Sequence, residues 1–240
     1  MKIKTNPLTM RGALNGCWLF NYRTPLEKVQ ALVPEPLKLV THGGFAFWNI
    51  VVCRVEALRP APLPGMFGLG YWHVAYRLCV DAHLASGGQV EGLYFVRSEC
   101  DHSLIARVGN WMTDFAFHPA RITVLHNREI AAGEIVATGG HAHFCVARQE
   151  MPGLAEGSPF GSLEEAATFL AYRPCALSRA NGNAVQRVGV SRDEARWRCR
   201  PVAVKTASWS LLHDAKLELC FEVEPIDYQW NRGEILEVAA

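Results

Sequence analysis

The sequence predicts an α+β protein, mainly antiparallel β, in which a curved sheet or barrel carries about three short helices at its edges. Three observations support this. Strand-length runs with period-two alternation recur through most of the chain. Turn signals at Gly43-Gly44, Ala85-Ser-Gly-Gly-Gln89, Gly139-Gly140 and Ala180-Asn-Gly-Asn183 separate them at hairpin spacing. Only three segments combine a helical apolar period with a capping residue. Half of the 240 residues are hydrophobic, enough for a substantial core, and one domain spanning 1–240 is expected.

Taken in order, Gly16 to Tyr22 is aromatic and bounded by Gly and Pro, which favours a strand. Thr24, Pro25 and Glu27 then spell a capping box for a helix whose buried stripe is Leu26, Val29, Leu32 and Val33, stopped by Pro34 and Pro36. Leu37 to Thr41 and Phe45 to Val55 follow as strands, with Phe47, Asn49 and Val51 on one face. After the Pro-rich loop Arg59 to Gly65, two strands around Tyr71–Cys79 and Glu91–Glu99 form an antiparallel pair. Asp101 is placed to cap a second helix with Leu104, Ile105, Val108 and Trp111 at helical spacing and Arg107 outward. Ile122–His126, Glu129–Thr138 and His141–Ala147 read as a meander. Ser162 and Glu165 make another capping box, for a helix with Leu163, Ala166, Ala167 and Leu170 that ends before Pro174. Cys175–Arg179 and Ala184–Val190 flank an Asn-Gly hairpin, and Pro201–Trp209 and Leu217–Val223 are the last expected strands.

Composition excludes several function classes. With 24 basic and 23 acidic residues the chain has no electrostatic footprint for nucleic acid or an anionic membrane surface. The amino-terminal residues lack a signal-peptide core, and no apolar run approaches the ~20 residues of a spanning helix, so a cytoplasmic location is expected. Eight cysteines without a Cys-x-x-Cys pair read as reduced core residues. No phosphate loop, dinucleotide fingerprint or serine elbow is present, and no cofactor is expected.

The candidate chemistry lies between Tyr71 and Arg121. Alternation puts Tyr71, His73, Ala75, Arg77 and Cys79 on one face, and Phe95, Arg97 and Glu99 on one face of the next strand. Ionisable and apolar side chains sharing a face suggest the lining of a cavity, or else the polar face of an exposed edge strand. His73 suits proton transfer and Arg77 suits bidentate capture of a carboxylate. Glu99 or Asp101 is available to orient an imidazole, and Asp101 reads more plainly as the helix cap. Elsewhere, His141, His143 and Cys145 share a strand face and present three soft donors, an alternative reading as a metal site. Lys205, flanked by apolar residues, is a candidate amine nucleophile or a snorkelling surface lysine.

The string from Asn21-Tyr-Arg-Thr-Pro25 through Val33-Pro-Glu-Pro-Leu37 resembles the opening of the acetoacetate decarboxylase-like superfamily. Gly92-Leu-Tyr-Phe95, Phe117-His-Pro-Ala-Arg-Ile122 and Phe169-Leu-Ala-Tyr-Arg173 are closer to a domain-of-unknown-function branch of it. The resemblance covers roughly residues 14 to 190. It implies a β-cone or barrel around the active site, commonly in a homo-oligomer. The decarboxylases carry a reactive lysine just after a Phe-Pro or Tyr-Pro step. Here the matching positions are Phe117, His118 and Ala120, and Arg121 cannot deprotonate, so no imine can form at that point. Asn49 and His73 stand where the resemblance implies glutamates, and Arg77 matches an arginine of the unknown-function branch.

The expectation is therefore an enzyme for a small carbonyl or carboxylate metabolite, working by non-covalent acid–base chemistry of the lyase or isomerase type. His73 or His118, with Glu99, would handle the proton. Arg77, Asn49, Arg97 and Arg121 would hold the anion or a developing enolate. A non-catalytic small-molecule-binding protein of the same fold is the alternative.

Overall fold

The computed structural model describes residues 4–170, 173 and 175–239. Positions 171, 172 and 174, where the third helix was expected to end and one resembling string runs, lie outside the described residues, as do positions 1–3.

The chain runs β1 (Met10–Pro25), α1 (Leu26–Val29), β2 (Lys38–Leu39), β3 (Thr41–His42), β4 (Phe45–Pro60), β5 (Leu69–His83), β6 (Gln89–Cys100) and α2 (Ser103–Met112). It continues β7 (Phe117–His126), β8 (Ile130–Ala137), β9 (Gly140–Ala147), α3 (Leu163–Leu170), β10 (Cys175–Arg179) and β11 (Ala184–Arg192). The last strands are β12 (Cys199–Trp209), β13 (Lys216–Val223), β14 (Ile226–Trp230) and β15 (Glu234–Glu237). The α+β, mainly antiparallel architecture with three short helices is thus present. None of the described helices is long and apolar enough to cross a membrane.

The long strands β1, β4, β5 and β6 pair antiparallel into a four-stranded partition, and both of its edges fork. On its free edge β1 pairs β14 through Met10–Leu14 and β13 through Cys17–Arg23. On its own free edge β6 meets β10 at Leu93 and β7 at Ser98–Cys100, both in parallel. Two closed circuits result, both including the partition. One returns from β1 through β14, β11 and β10 to β6, and the other through β13, β12, β9, β8 and β7. The expected curved sheet is therefore double, and the two parallel joints are what the antiparallel expectation omitted.

Strand parity assigns side chains to the two circuits. Trp18, Phe20, Trp48, Ile50, Tyr76 and Leu78 pack into one core with Phe144 and Trp209 of the larger circuit. Cys17, Leu19, Phe47, Val51, Cys53 and Ala75 point to the other side, where α2 and α3 cover the second core.

Local departures from the sequence reading have identifiable causes. The first helix is a single turn followed by a 3-10 turn at Gln30–Leu32, with no capping bond from a side chain. Thr24 and Pro25 are held in the ladder opposite Ala46 and Phe45, so the Thr24 hydroxyl is buried instead of capping. Of the expected stripe only Val29 is fully buried. Asp101 does not cap α2, whose N-cap is His102. Its Oδ1 accepts the Trp72 backbone N–H at 2.8 Å and so closes the end of the β5–β6 ladder. α2 buries only Ala106 fully and leaves Trp111 78 % exposed. Ser162 does cap α3, accepting the Glu165 N–H at 3.1 Å while Glu165 reaches back to the Gly161 N–H at 2.8 Å. Strands β14 and β15 lie in a stretch without clear alternation and were not expected.

Candidate active site

The smaller circuit encloses a cavity of about 110 Å³, with contributions from all seven of its strands and from α3. Its floor is the partition. Two cross-strand rows carry the polar groups. One is Cys17 of β1, Cys53 of β4, His73 of β5 and Cys100 of β6; the other is Asn21, Asn49, Arg77 and Phe95 on the same four strands. The apolar Leu19, Val51 and Ala75 separate them.

In the second row the side chains are chained by hydrogen bonds. Asn21 Nδ2 donates to the Leu19 and Leu219 carbonyls at 3.4 Å each, and its Oδ1 accepts from Asn49 Nδ2 at 2.7 Å. Asn49 Oδ1 is thereby turned toward Arg77, whose Nη2 donates to it and whose Nε donates to the Asn49 carbonyl at 3.4 Å. The guanidinium lies 5.5 Å from the Phe95 ring centroid. A neutral amide and an aromatic face thus hold the planar cation in place.

In the first row His73 is 5 % exposed and stacks on Phe117 with ring centroids 5.3 Å apart. Its Nε2 is buried, and so is the hydroxyl of Tyr228 on the opposite wall; neither has a hydrogen-bond partner among the described residues. Cys53 sits between Cys17 and His73. A hydrogen bond from the Cys17 thiol, followed by the influence of His73 and Arg77, lowers the Cys53 pKa, against the opposing effect of burial. The paired Cys17 is pushed up well above the ordinary thiol value, first by that hydrogen bond and then by burial.

Two further arginines line the cavity. Arg173 pairs with Glu91 at 3.3 Å, and Arg192 lies 3.2 Å from the Trp197 ring centroid while gripping Glu194 with Nε and Nη2 at 3.0 and 3.1 Å. Among the described residues, the lining includes three arginines and a histidine and no aspartate or glutamate. Glu91 and Glu194 offset Arg173 and Arg192, and the Arg77 guanidinium has the shape and charge to take an anion.

The structure brings His73, Arg77 and Asn49 together in this cavity and places the other candidates outside it. Glu99 and Arg97 face the other core, reversing the parity argument, because β6 carries a bulge opposite the Tyr76/Arg77 step. Arg97 pairs with Tyr76 and Phe95 with Arg77, so the extra residue Val96 inverts the alternation beyond it. There Arg97 Nε donates to Glu99 Oε1 at 2.9 Å and the Tyr76 hydroxyl lies 3.5 Å from Oε2. Burial raises the Glu99 pKa, and Arg97 and Tyr76 oppose it. His118 is exposed in register with Glu99 on the parallel β7; partial desolvation and then the charge of Arg97 lower its pKa. Arg121 is exposed on β7.

The remaining alternatives sit at the surface. His141 and His143 are exposed, with His141 Nε2 3.1 Å from Glu134 Oε1, and no group of His, Cys, Asp or Glu among the described residues has a metal-holding arrangement with Cys145 or elsewhere. Lys205 is exposed and pairs with Glu150 at 2.6 Å, consistent with a surface lysine and not with a cavity nucleophile.

Sequence reasoning missed Cys17, Cys53, Arg173, Arg192 and Tyr228. Cys53 was within reach, being the next residue of the face that holds Phe47, Asn49 and Val51. Arg192 and Tyr228 arrive from distant strands and Arg173 from the connection before β10, and no local pattern marks them.

Comparison with solved structures defines the class as the acetoacetate decarboxylase-like fold. An acetoacetate decarboxylase-like enzyme from Sphingomonas wittichii RW1 matches with TM-score 0.62 at 14 % identity, over 98 % of this chain and 94 % of that one. The acetoacetate decarboxylase of Legionella pneumophila matches with TM-score 0.63 at 13 % identity, over 99 % and 90 %. The enduracididine biosynthesis enzyme MppR complexed with pyruvate matches with TM-score 0.59 at 10 % identity, over 96 % and 91 %. Residues 13–230 match the family DUF2071, described as "Uncharacterized conserved protein", and the chain belongs to that family. No curated protein matches the sequence.

Proposed function

We propose that the protein is an enzyme that moves a proton on a small carboxylate-bearing carbonyl metabolite, without a covalent lysine intermediate. The observation that carries this reading is the buried His73 Nε2, without a hydrogen-bond partner among the described residues, in a cavity where Arg77 is held by Asn49. Burying a polar atom without a partner costs about 1–3 kcal/mol, a cost a bound ligand would remove.

In this reading Arg77 binds the carboxylate or the enolate oxygen that develops as His73 removes a proton from the adjacent carbon. The C–H electron pair moves toward the carbonyl, and the imidazolium returns the proton to the same or a neighbouring atom. That sequence suits isomerisation, dehydration or cyclisation. The pyruvate in the MppR structure makes 2-oxo acids a reasonable first probe. Glu99, Arg97, His118 and Arg121 take no part, since they lie outside the cavity.

The test is deuterium exchange at the carbon beside the carbonyl of a panel of 2-oxo acids in D₂O, followed by proton NMR. Wild type should catalyse exchange, His73→Ala should lose it, and Arg77→Met should weaken saturation. Binding without exchange for every acid would favour a non-catalytic binding protein, and absence of both would overturn the reading.

A further inference from the structure

A second cavity, about 100 Å³ and almost wholly apolar, adjoins the first. Ile105, Val108 and Met112 of α2 supply one wall, and Phe115 and Phe117 another. The two cavities share His73, Phe95 and Trp230, so these three side chains stand between them. His73 stacks on Phe117, and Phe95 stacks on Phe115 at 4.3 Å between centroids, so both partition rings extend the apolar surface toward Arg77. Protein interiors close up to native density, and an apolar void beside a polar one is costly unless something fills it. An apolar cavity of about 150 Å³ is known to hold benzene, so this space suits a group of a few carbons.

We propose that the paired cavities bind an amphipathic carboxylic acid, its carboxylate on Arg77, its hydrocarbon end under α2 and its reacting carbon at His73. The inference rests on the anion reading above and adds the substrate class. It places the proton-transfer group at the junction of the two halves, the position a reacting carbon near the acid end would occupy. α2, with only Ala106 fully buried, is a wall that can yield to admit the chain.

Straight-chain 2-oxo acids from pyruvate to 2-oxooctanoate, measured by calorimetry, test it. Affinity should rise about fourfold per methylene until the space is filled, then level off. Ile105→Trp should reduce the longer acids to the affinity of pyruvate while pyruvate itself binds as before, and Ile105→Ala should move the plateau to longer chains. Circular dichroism checks that both variants fold; if Ile105→Trp does not, the Ile105→Ala profile decides. A flat chain-length series, or a profile that Ile105 variants leave unchanged, overturns the apolar subsite and leaves the anion reading standing. A wild type that binds none of the series overturns both.

Discussion

Arg77 on β5 and Asn49 on β4 face each other across the cavity floor, with Nη2 of the guanidinium on the amide oxygen and Nε 3.4 Å from the Asn49 carbonyl. Asn21 on β1 fixes the amide by taking its Nδ2–H at 2.7 Å. The orientation of the Arg77 guanidinium is thus set by three adjacent strands.

Removing the amide should leave the cation present but poorly aimed. Asn49→Leu is expected to weaken 2-oxo acid binding about 10- to 100-fold, the scale of a hydrogen bond to a charged group. Arg77→Lys should not restore it, because an ammonium cannot reproduce the two-pronged contact. Calorimetry on the two variants checks both expectations.

Cys53 should ionise below an ordinary thiol. The Cys17 thiol, His73 and Arg77 favour its thiolate, whereas the other cysteines with a resolved shift are all raised, mostly by burial. Thiolate absorbance near 240 nm should therefore show a step below pH 9 that Cys53→Ser abolishes and Cys17→Ala moves upward. A depressed folded pKa contributes stability above the unfolded thiol value, and that contribution fades as pH falls through the folded one. Absence of the low step in wild type would refute the assignment.

Arg23 and Glu218 form a buried ion pair with side-chain exposures of 4 % and 0 %. Ser158 Oγ also donates to Glu218 at 2.7 Å, and Arg23 Nη2 donates to the Glu156 carbonyl at 2.8 Å, so the pair ties the segment before α3 to β1 and β13. Glu218→Leu leaves a buried guanidinium without its carboxylate and should cost about 3–5 kcal/mol in urea unfolding.

Gly92 permits closure of the cavity circuit. A Cβ there would lie 2.7 Å from Leu177 Cγ and 3.0 Å from both the Cys175 carbonyl oxygen and its sulfur, at the point where β10 meets β6. Gly92→Val should destabilise by about 1–3 kcal/mol and loosen ligand binding together, read by thermal melting and calorimetry.

Borohydride reduction in the presence of pyruvate should leave the protein mass unchanged. Lys205 is at the surface beside Glu150, and the Phe117–Arg121 segment has no amine to form an imine. A trapped adduct would overturn the non-covalent mechanism.

The sequence made the local part of this site legible. Period-two alternation placed His73 and Arg77 together on β5, and it put Asn49 on the facing side of β4, because those strands are regular there. The same argument failed for Arg97 and Glu99, since one unpaired residue reverses a strand's faces without altering its alternating pattern. The capping signals at Thr24 and Asp101 were also overruled, in each case because long-range pairing claimed the residue first. Trp111, at helical spacing with apolar residues, is 78 % exposed, and of α2 only Ala106 is fully buried. Arg173, Arg192 and Tyr228 reach the cavity only through the fork that joins β10, β11 and β14 to the partition.

The bulge at Val96 makes the polarity of this wall depend on strand register as well as on residue identity. Val96 is the unpaired residue, so excising it would keep Phe95 opposite Arg77 and Arg97 opposite Tyr76, whereas pairing it in regular register would turn Arg97 and Glu99 toward the cavity. Comparisons between relatives at this strand therefore have to count residues from Arg77 inward before matching letters.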